Sequence, residues 1–579
     1  MERYYSCEKN TQILISLLKQ HGVKRIIISP GAQNICFVGS VQSDDYFELY
    51  SAPDERSAAY MACGMAESDG KPVALSCTGA TASRNYIPGL TEAYYRHLPV
   101  MAITSTKHTA FVGQNIPQVI DRSVLQNDIA RKSVYIPTIE NSDDAWGAVV
   151  DINTAILELT HRGGGPTHIN LETTHNPDYT VKELPVARAI FRLTASDDKP
   201  EIPSGKKIAV LVGAHNIWDD RLTEAVDSFC RKYNAVVICD HTSNYHGEFK
   251  VLPALVSSQA NYRSNCIDID LAIDIGNVSG AYYNIKPKTV WRVDPDGDVK
   301  DTYRKLKYVF ELSEYEFFKS YNDAKDTETE PEYFNQWKNE YDSIYRRMPE
   351  LPFSNLWVAG KLSAELPENT VLHLAILNSL RSWNYYYISE TVNCFSNTGG
   401  FGIDGPVSTA LGNALSLKDR MHVLVVGDLA FFYDLNALGN RHFPKNLRIL
   451  LINNGIGTEF KNYNHKAAAF GAAADYYMAA GGHYGKQSRE LVKHYAQDLG
   501  LEYLSADNKE DVLQNIPLFL AQDSDKSIVF EVFTDSSLES NAYKTIREIK
   551  ASFLGSGKKL IKKVLSTDSI RKMKRIIRK

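Results

Sequence analysis

No stretch of this 579-residue chain approaches 20 uninterrupted apolar residues, so a membrane-spanning helix is not expected. None of its eight cysteines (7, 36, 63, 77, 230, 239, 266 and 394) forms a C-x-x-C pair. Scattered in this way, several of them inside apolar segments, they read as buried thiols of a reducing cytoplasm. The opening MERYYSCEKN is polar and lacks an apolar core for export, which again predicts a cytoplasmic protein. Negative charge outnumbers positive outside the C-terminus. The net charge is −5, but residues 556–579 carry ten Lys or Arg against one Asp, leaving the rest near −14. An acidic body excludes a general nucleic-acid binder.

What is present describes a soluble globular protein, with 44% hydrophobic and 23% charged residues. The length suggests about three or four domains. Residues 1–185 alternate strand and helix patterns: VKRIIISPG, FELYSAP, the small-residue helix SAAYMACGMAES, PVALSCTG, a helix around Tyr86 to Tyr95, then PVMAITST. Such alternation predicts a doubly wound parallel sheet. The polar ASDDKPEIPSGKK at 195–207 reads as a linker. A second α/β block, 200–345, runs through IAVLVGA, AVVICD, IDLAIDIG and TVWRVDPDG to a charged, aromatic helical connector. A third block spans 351–545, and 546–579 forms a basic tail.

The third block holds the most informative segment, MHVLVVGDLAFFYDLNALGNRHFPKNLRILLINN, residues 421–454. Residues 421–427 predict a strand buried on both faces, 430–441 a helical crossover, and Leu447 to Ile452 a second buried strand. Right-handed crossover chirality brings both strand ends to one sheet edge, where open α/β sheets bind ligands. Asp428 and Asn454 then stand together. A hard cation such as Mg²⁺ takes oxygen ligands and leaves part of its shell to phosphates and water. Asp428 offers a carboxylate, Asn454 an amide oxygen and Ile456 a carbonyl.

Gly-Asp followed about two dozen residues later by Asn-Asn resembles the signature of thiamin-diphosphate-dependent enzymes. GDLAFFYDLNAL, with Leu429 where many relatives carry glycine, is similar to the 2-succinyl-5-enolpyruvyl-6-hydroxy-3-cyclohexene-1-carboxylate synthases of the menaquinone pathway. The resemblance implies three α/β domains in the order pyrimidine-binding, central and diphosphate-binding, with thiamin diphosphate and Mg²⁺ as cofactors. It implies that Gly427, Asp428, Leu429, Asn454 and Ile456 hold the diphosphate and its metal. Ile403, in FGIDGPVSTALG, matches the isoleucine that wedges the cofactor into its bent conformer. Glu55, in SAPDERSAAYMACGMA, matches the glutamate that touches the pyrimidine ring nitrogen; read without the resemblance, it is a first-turn helix acid paired with Arg56.

The resemblance implies that Gly31 (SPGAQN) contacts the cofactor, that Gln33 in the same segment, Lys107 (TSTKH) and Gln118 (GQNIPQVID) fall on substrate loops of the first block, and that Ser379 and Arg381 (LNSLRSW) fall on one of the third. Gln33 stands where the family has an arginine, Thr398 replaces another, and Arg381 occurs at a shifted spacing. Lys107 keeps one positive charge. Replacing bidentate guanidinium clamps by a point charge alters carboxylate recognition, so an acceptor other than isochorismate is expected. The absence of an adjacent His-His pair favours carboligation over simple decarboxylation of a 2-oxo acid. A homodimer or homotetramer is implied, each centre combining the first block of one subunit with the third of another. An inert scaffold docked on membranes is the reading from a different class. The tail places Leu560, Ile561, Val564, Leu565, Ile570, Met573 and Ile577 at roughly helical spacing among cations, a pattern that could dock on an anionic membrane surface.

Overall fold

The computed structural model describes residues 4–280 and 284–550; of the basic tail expected at 546–579, residues 551–579 lie outside the described residues, and the helix Ser536–Arg547 runs across its expected start. The fold is α/β, with three sheets in which every described strand pair is parallel. It divides into two compact units. The first takes the described residues up to Lys199 together with Asp294–Glu311, and the second takes Pro200–Val293 and the described residues from Leu312 onward.

The first unit's six-stranded sheet runs Glu48–Ser51, Arg25–Ile28, Val73–Thr78, Val100–Thr106, Thr167–Glu172, Lys132–Ile136. Counted along the chain, that order is 2-1-3-4-6-5. Its central strands VALSCT and VMAITST are buried at every position because helices cover both faces. On one face lie Leu14, Leu17, Ile152 and Ile156; on the other lie Ala58, Ala62, Tyr86 and Leu90. The helix Glu55–Asp69 presents the small residues Ala58, Ala59, Ala62 and Ala66 to this core, which lets its neighbour Ile87–Tyr95 come very close. A Cβ on Gly89 would lie 2.4 Å from that of Ala59.

In the second unit, the strands Lys250–Val251, Ala235–Cys239, Ile208–Val212, Leu271–Ile275 and Thr289–Val293 follow one another in one sheet. The charged segment after it forms two helices, Glu314–Asp323 and Glu332–Tyr345. The other sheet runs Asn393–Phe395, Val371–Leu374, His422–Gly427, Leu447–Asn453, Ile528–Phe533, Glu502–Ala506. Its order is again 2-1-3-4-6-5, so the first and third blocks share one topology.

The crossover between the two signature strands differs from the single helix that periodicity predicts. A short helix, Asp428–Tyr433, ends at Asp434 and a 3₁₀ segment, Leu435–Gly439, follows. Asp434 breaks it because its carboxylate accepts hydrogen bonds from the Ser408 N–H and hydroxyl, both at 2.6 Å. Phe431, Phe432, Ala437 and Leu438 still reach the core, so the apolar pattern survives the break. All eight cysteines are unpaired thiols, seven of them buried. Among the described residues, no helix is long and apolar enough to cross a membrane.

Candidate active site

The pairing of His422–Gly427 with Leu447–Asn453 ends with Gly427 opposite Ile452, which puts Asp428 and Asn454 at the same sheet edge. Asp428 is buried, and its two carboxylate oxygens accept from the N–H of Leu429 at 2.8 Å and of Gly455 at 2.6 Å. Burial pushes this carboxyl up to about 6, while the N–H groups of Leu429, Gly455, Asn454 and Ile456 pull it back down. The turn is braced from behind. Asn453 donates to Glu531 at 2.6 Å, Tyr503 donates to the other Glu531 oxygen at 2.7 Å, and Asn453 Oδ1 accepts from the Gly455 N–H. Gly455 has φ +71, and the aliphatic stem of Lys486 lies over it, 2.7 Å from where a Cβ would stand.

The Asn454 Oδ1 atom is buried with no hydrogen-bond partner among the described residues. Such an orphaned acceptor costs about 1–3 kcal/mol. It makes sense if another donor or a cation completes it. The Ile456 carbonyl accepts from the Thr458 hydroxyl at 3.4 Å. A Cβ on Gly427 would meet nothing within 4 Å beyond its chain neighbours, so the strand end is open at this position. Among the described residues, no group of three or more His, Cys, Asp or Glu could hold a metal. A cation here would therefore rely on one carboxylate with amide and carbonyl oxygens, a donor set that suits Mg²⁺.

In the same unit, Ile403 is half-buried on the third block's core and lines a cavity with His373, Ile376, Asp404 and Thr409. Ser379 is buried in the short helix Asn378–Trp383, whose preceding residue, Leu377, takes φ 67. Arg381 is ion-paired with Glu459 at 2.6 Å, so its charge is already engaged by protein.

The first unit holds the other candidates. Glu55 opens the helix Glu55–Asp69, and the preceding Asp54 caps it by accepting from the Ser57 N–H at 2.7 Å. The Glu55 carboxylate is half-buried and accepts from the Asn85 amide at 3.1 Å, rather than pairing with Arg56. Gly31 is forced by packing: a Cβ there would lie 2.1 Å from the Thr78 hydroxyl. Gln33 is buried, and its Nε2 donates to the Gln118 carbonyl at 3.0 Å, bringing these two sequence-predicted residues together. Gln118 itself has φ 62. Lys107 lies at the end of Val100–Thr106, and its ammonium is 3.5 Å from the Pro117 carbonyl.

Residues 9–126 match the thiamine pyrophosphate enzyme N-terminal TPP binding domain. Over almost its whole length the chain is also similar to proteins named 2-succinyl-5-enolpyruvyl-6-hydroxy-3-cyclohexene-1-carboxylate synthase. That of Bacteroides thetaiotaomicron is 30% identical over 562 residues, covering 93% of this chain and 98% of the relative. The chain belongs to the thiamin-diphosphate-dependent enzyme family. The Phocaeicola vulgatus relative of the same name is 31% identical over 562 residues, and that of Flavobacterium johnsoniae 28% over 555. In this thiamin-diphosphate enzyme, the lone acceptor of Asn454 and the open strand end at Gly427 fit a cation carrying a diphosphate. Asn85, Lys486 and a buried arginine, Arg122, were invisible to sequence reasoning. Their spacing carries no pattern, and only tertiary contacts bring them to these sites.

Proposed function

We propose that this thiamin-diphosphate enzyme decarboxylates a 2-oxo acid and transfers the acyl unit to an acceptor other than isochorismate. Asp428, Asn454 and the Ile456 carbonyl would hold Mg²⁺, with Gly427 and Leu429 beside the diphosphate. Bound thiamin diphosphate supplies the carbanion-stabilising centre that amino-acid side chains lack. Glu55 would exchange a proton with the cofactor's pyrimidine, Ile403 would hold its bend, and Gly31 would leave room at the pyrimidine end. The observation that carries the reading is the unsatisfied Asn454 oxygen next to buried Asp428. Gln33, Lys107, Gln118, Ser379 and Arg381 form the proposed substrate loops. Gln33 lacks the charge of a guanidinium clamp and Arg381 is engaged by Glu459, which supports an altered acceptor.

The domain reading is 1–185 pyrimidine-binding, 200–345 central and 351–545 diphosphate-binding. The shared 2-1-3-4-6-5 order of the outer two supports it. A cytoplasmic homodimer or homotetramer would bring Glu55 of one copy to the cation site of another. The test is to incubate the protein, thiamin diphosphate and Mg²⁺ with a panel of 2-oxo acids, with and without candidate acceptors. Carbon dioxide release with a ligated product supports carboligation. An aldehyde alone would leave simple decarboxylation, and no turnover with any donor would sink both. Docking of the tail on an anionic membrane belongs to the same proposal. Phosphatidylserine vesicles should sediment the full chain and not one ending at residue 555; equal sedimentation removes it.

A further inference from the structure

Arg122 lies in the long connection between Val100–Thr106 and Lys132–Ile136, and only 6% of it is exposed. Its Nη2 donates to the Asn170 amide oxygen at 2.5 Å. Its Nη1 is buried with no hydrogen-bond partner, and no carboxylate pairs with it among the described residues. A buried cation without a counter-charge is costly, and proteins keep one where something supplies the charge. Arg448 shows the structural alternative. It is equally buried, but its guanidinium donates to the carbonyls of Lys445, Lys526 and Ala521. Arg122 has one neutral partner.

A second arginine aggravates the imbalance. Arg84, on the helix Ala80–Asn85, lines the same narrow cavity as Arg122, together with Ser83, Thr104 and His168. Arg84 donates to the Asp121 carbonyl at 2.9 Å and makes no ion pair among the described residues. His168 is held neutral by burial and by the charges of Arg122 and Arg84, its ring nitrogens meet the Thr104 and Ser133 hydroxyls, and it adds no negative charge. Arg84 and Arg122 thus line one small space with Tyr86, Ile87 and Leu90, and only Arg84 has a carboxylate nearby, that of Asp121. Burial and Arg84 together lower the Arg122 pKa to about 10, as expected for cations lacking an anion.

The pair adjoins the ligand edge of the sheet. Gly79 follows the strand Val73–Thr78, and a Cβ there would lie 3.0 Å from Arg122 Nη2 and 3.1 Å from Gln33 Oε1. Gln33 Oε1 is also buried without a partner, because the Gln118 carbonyl fixes the amide the other way round. Tyr86 and Leu90, which line the cavity, also share a core with Ala58 and Ala59 of the helix that Glu55 opens.

We propose that Arg122, supported by Arg84, is an anion site that takes a carboxylate of the substrate, with Gln33 Oε1 accepting a hydroxyl hydrogen beside it. The inference rests on the 2-oxo acid carboligase reading. The guanidinium fork matches a carboxylate in plane, and the lone Gln33 oxygen selects a donor group next to it. The carboxylate belongs either to the donor acid or to the acceptor.

Isothermal titration of the full chain, loaded with thiamin diphosphate and Mg²⁺, separates the two sources. One arm uses 2-oxoglutarate against its 5-amide, and the other salicylate against salicylamide. The parent should favour the carboxylate over its amide by about tenfold to hundredfold in one arm. Arg122→Met should abolish that preference, and Arg84→Met should reduce it. Both variants should take up the cofactor like the parent, and Arg122→Met should melt no lower, since a buried unpaired charge is removed. A preference that survives in Arg122→Met overturns the site, as does a cofactor-loaded parent that prefers neither carboxylate. If sodium chloride at matched ionic strength competes while neither carboxylate is preferred, the site holds a free anion and the substrate assignment falls. If Arg122→Met does not fold, Arg84→Met at its more exposed position decides. Failure of the parent to bind thiamin diphosphate at all would instead sink the carboligase reading.

Discussion

Asp428→Asn should weaken Mg²⁺-dependent uptake of thiamin diphosphate by about a hundredfold or more, while making the magnesium-free protein more stable. The two effects have opposite signs because one carboxylate causes both. Its oxygens accept from the Leu429 and Gly455 N–H groups; an amide of the same size keeps one of these contacts and turns its NH2 towards the other N–H, a cost that trims the gain from removing the buried charge. The charge is what goes. A charge-assisted contact is worth about 1.5–3 kcal/mol, or roughly ten- to more than a hundredfold in affinity, and a divalent cation stands at its upper end. In the folded chain the carboxyl is pushed up to about 6 from its ordinary 3.8. The unfolded chain therefore releases its proton first. Stability from this group is greatest below pH 4 and falls as pH rises towards 6, a loss on the order of 2–3 kcal/mol by neutrality. In chelator at pH 7, Asp428→Asn should melt higher than the parent, and with Mg²⁺ and cofactor the order should reverse. Calorimetry under both conditions checks it. A variant that melts lower in chelator, or takes up cofactor like the parent, would show that Asp428 is an ordinary helix-terminal acid.

The signature was legible because it rests on short-range rules. Apolar runs gave the two strands, crossover chirality gave the common edge, and Asp428 and Asn454 then had to meet. Gly31 was also legible as a motif, although its reason, the hydroxyl of Thr78, came only from the packing of two strands. The break at Asp434 was not, because its cause is Ser408, 26 residues earlier in the chain. Charge pairing was the least visible layer. Arg381 was placed on a substrate loop by sequence, yet Glu459, 78 residues away, pairs with it. No motif marked Arg122, which is buried and has no carboxylate partner among the described residues. Sequence spacing reports which residues share an element, and the partner that decides a charge's role commonly sits on another one.

Glu55→Gln should cut turnover of the 2-oxo acid by about a hundred- to ten-thousandfold, the range for losing a positioned acid–base group, with cofactor uptake within a few-fold of the parent. The separation follows from where the residue stands. Glu55 belongs to the first unit, and the proposed cation ligands belong to the second, so its loss removes no metal ligand. The helix should survive, because Asp54 supplies the cap and the buried face is made by Ala58, Ala59, Ala62 and Ala66. Glutamine can still meet Asn85 but cannot ionise, so proton exchange is lost while shape is kept. Asn85→Ala should show a milder form of the same defect, near tenfold, as it only orients the carboxylate. The informative comparison is with Asp428→Asn: one variant binds the cofactor and does not turn over, and the other fails at binding. Should Glu55→Gln consume 2-oxo acid as fast as the parent, Glu55 carries no proton in the reaction. If the parent is also inactive with every donor, the inert-scaffold reading takes its place.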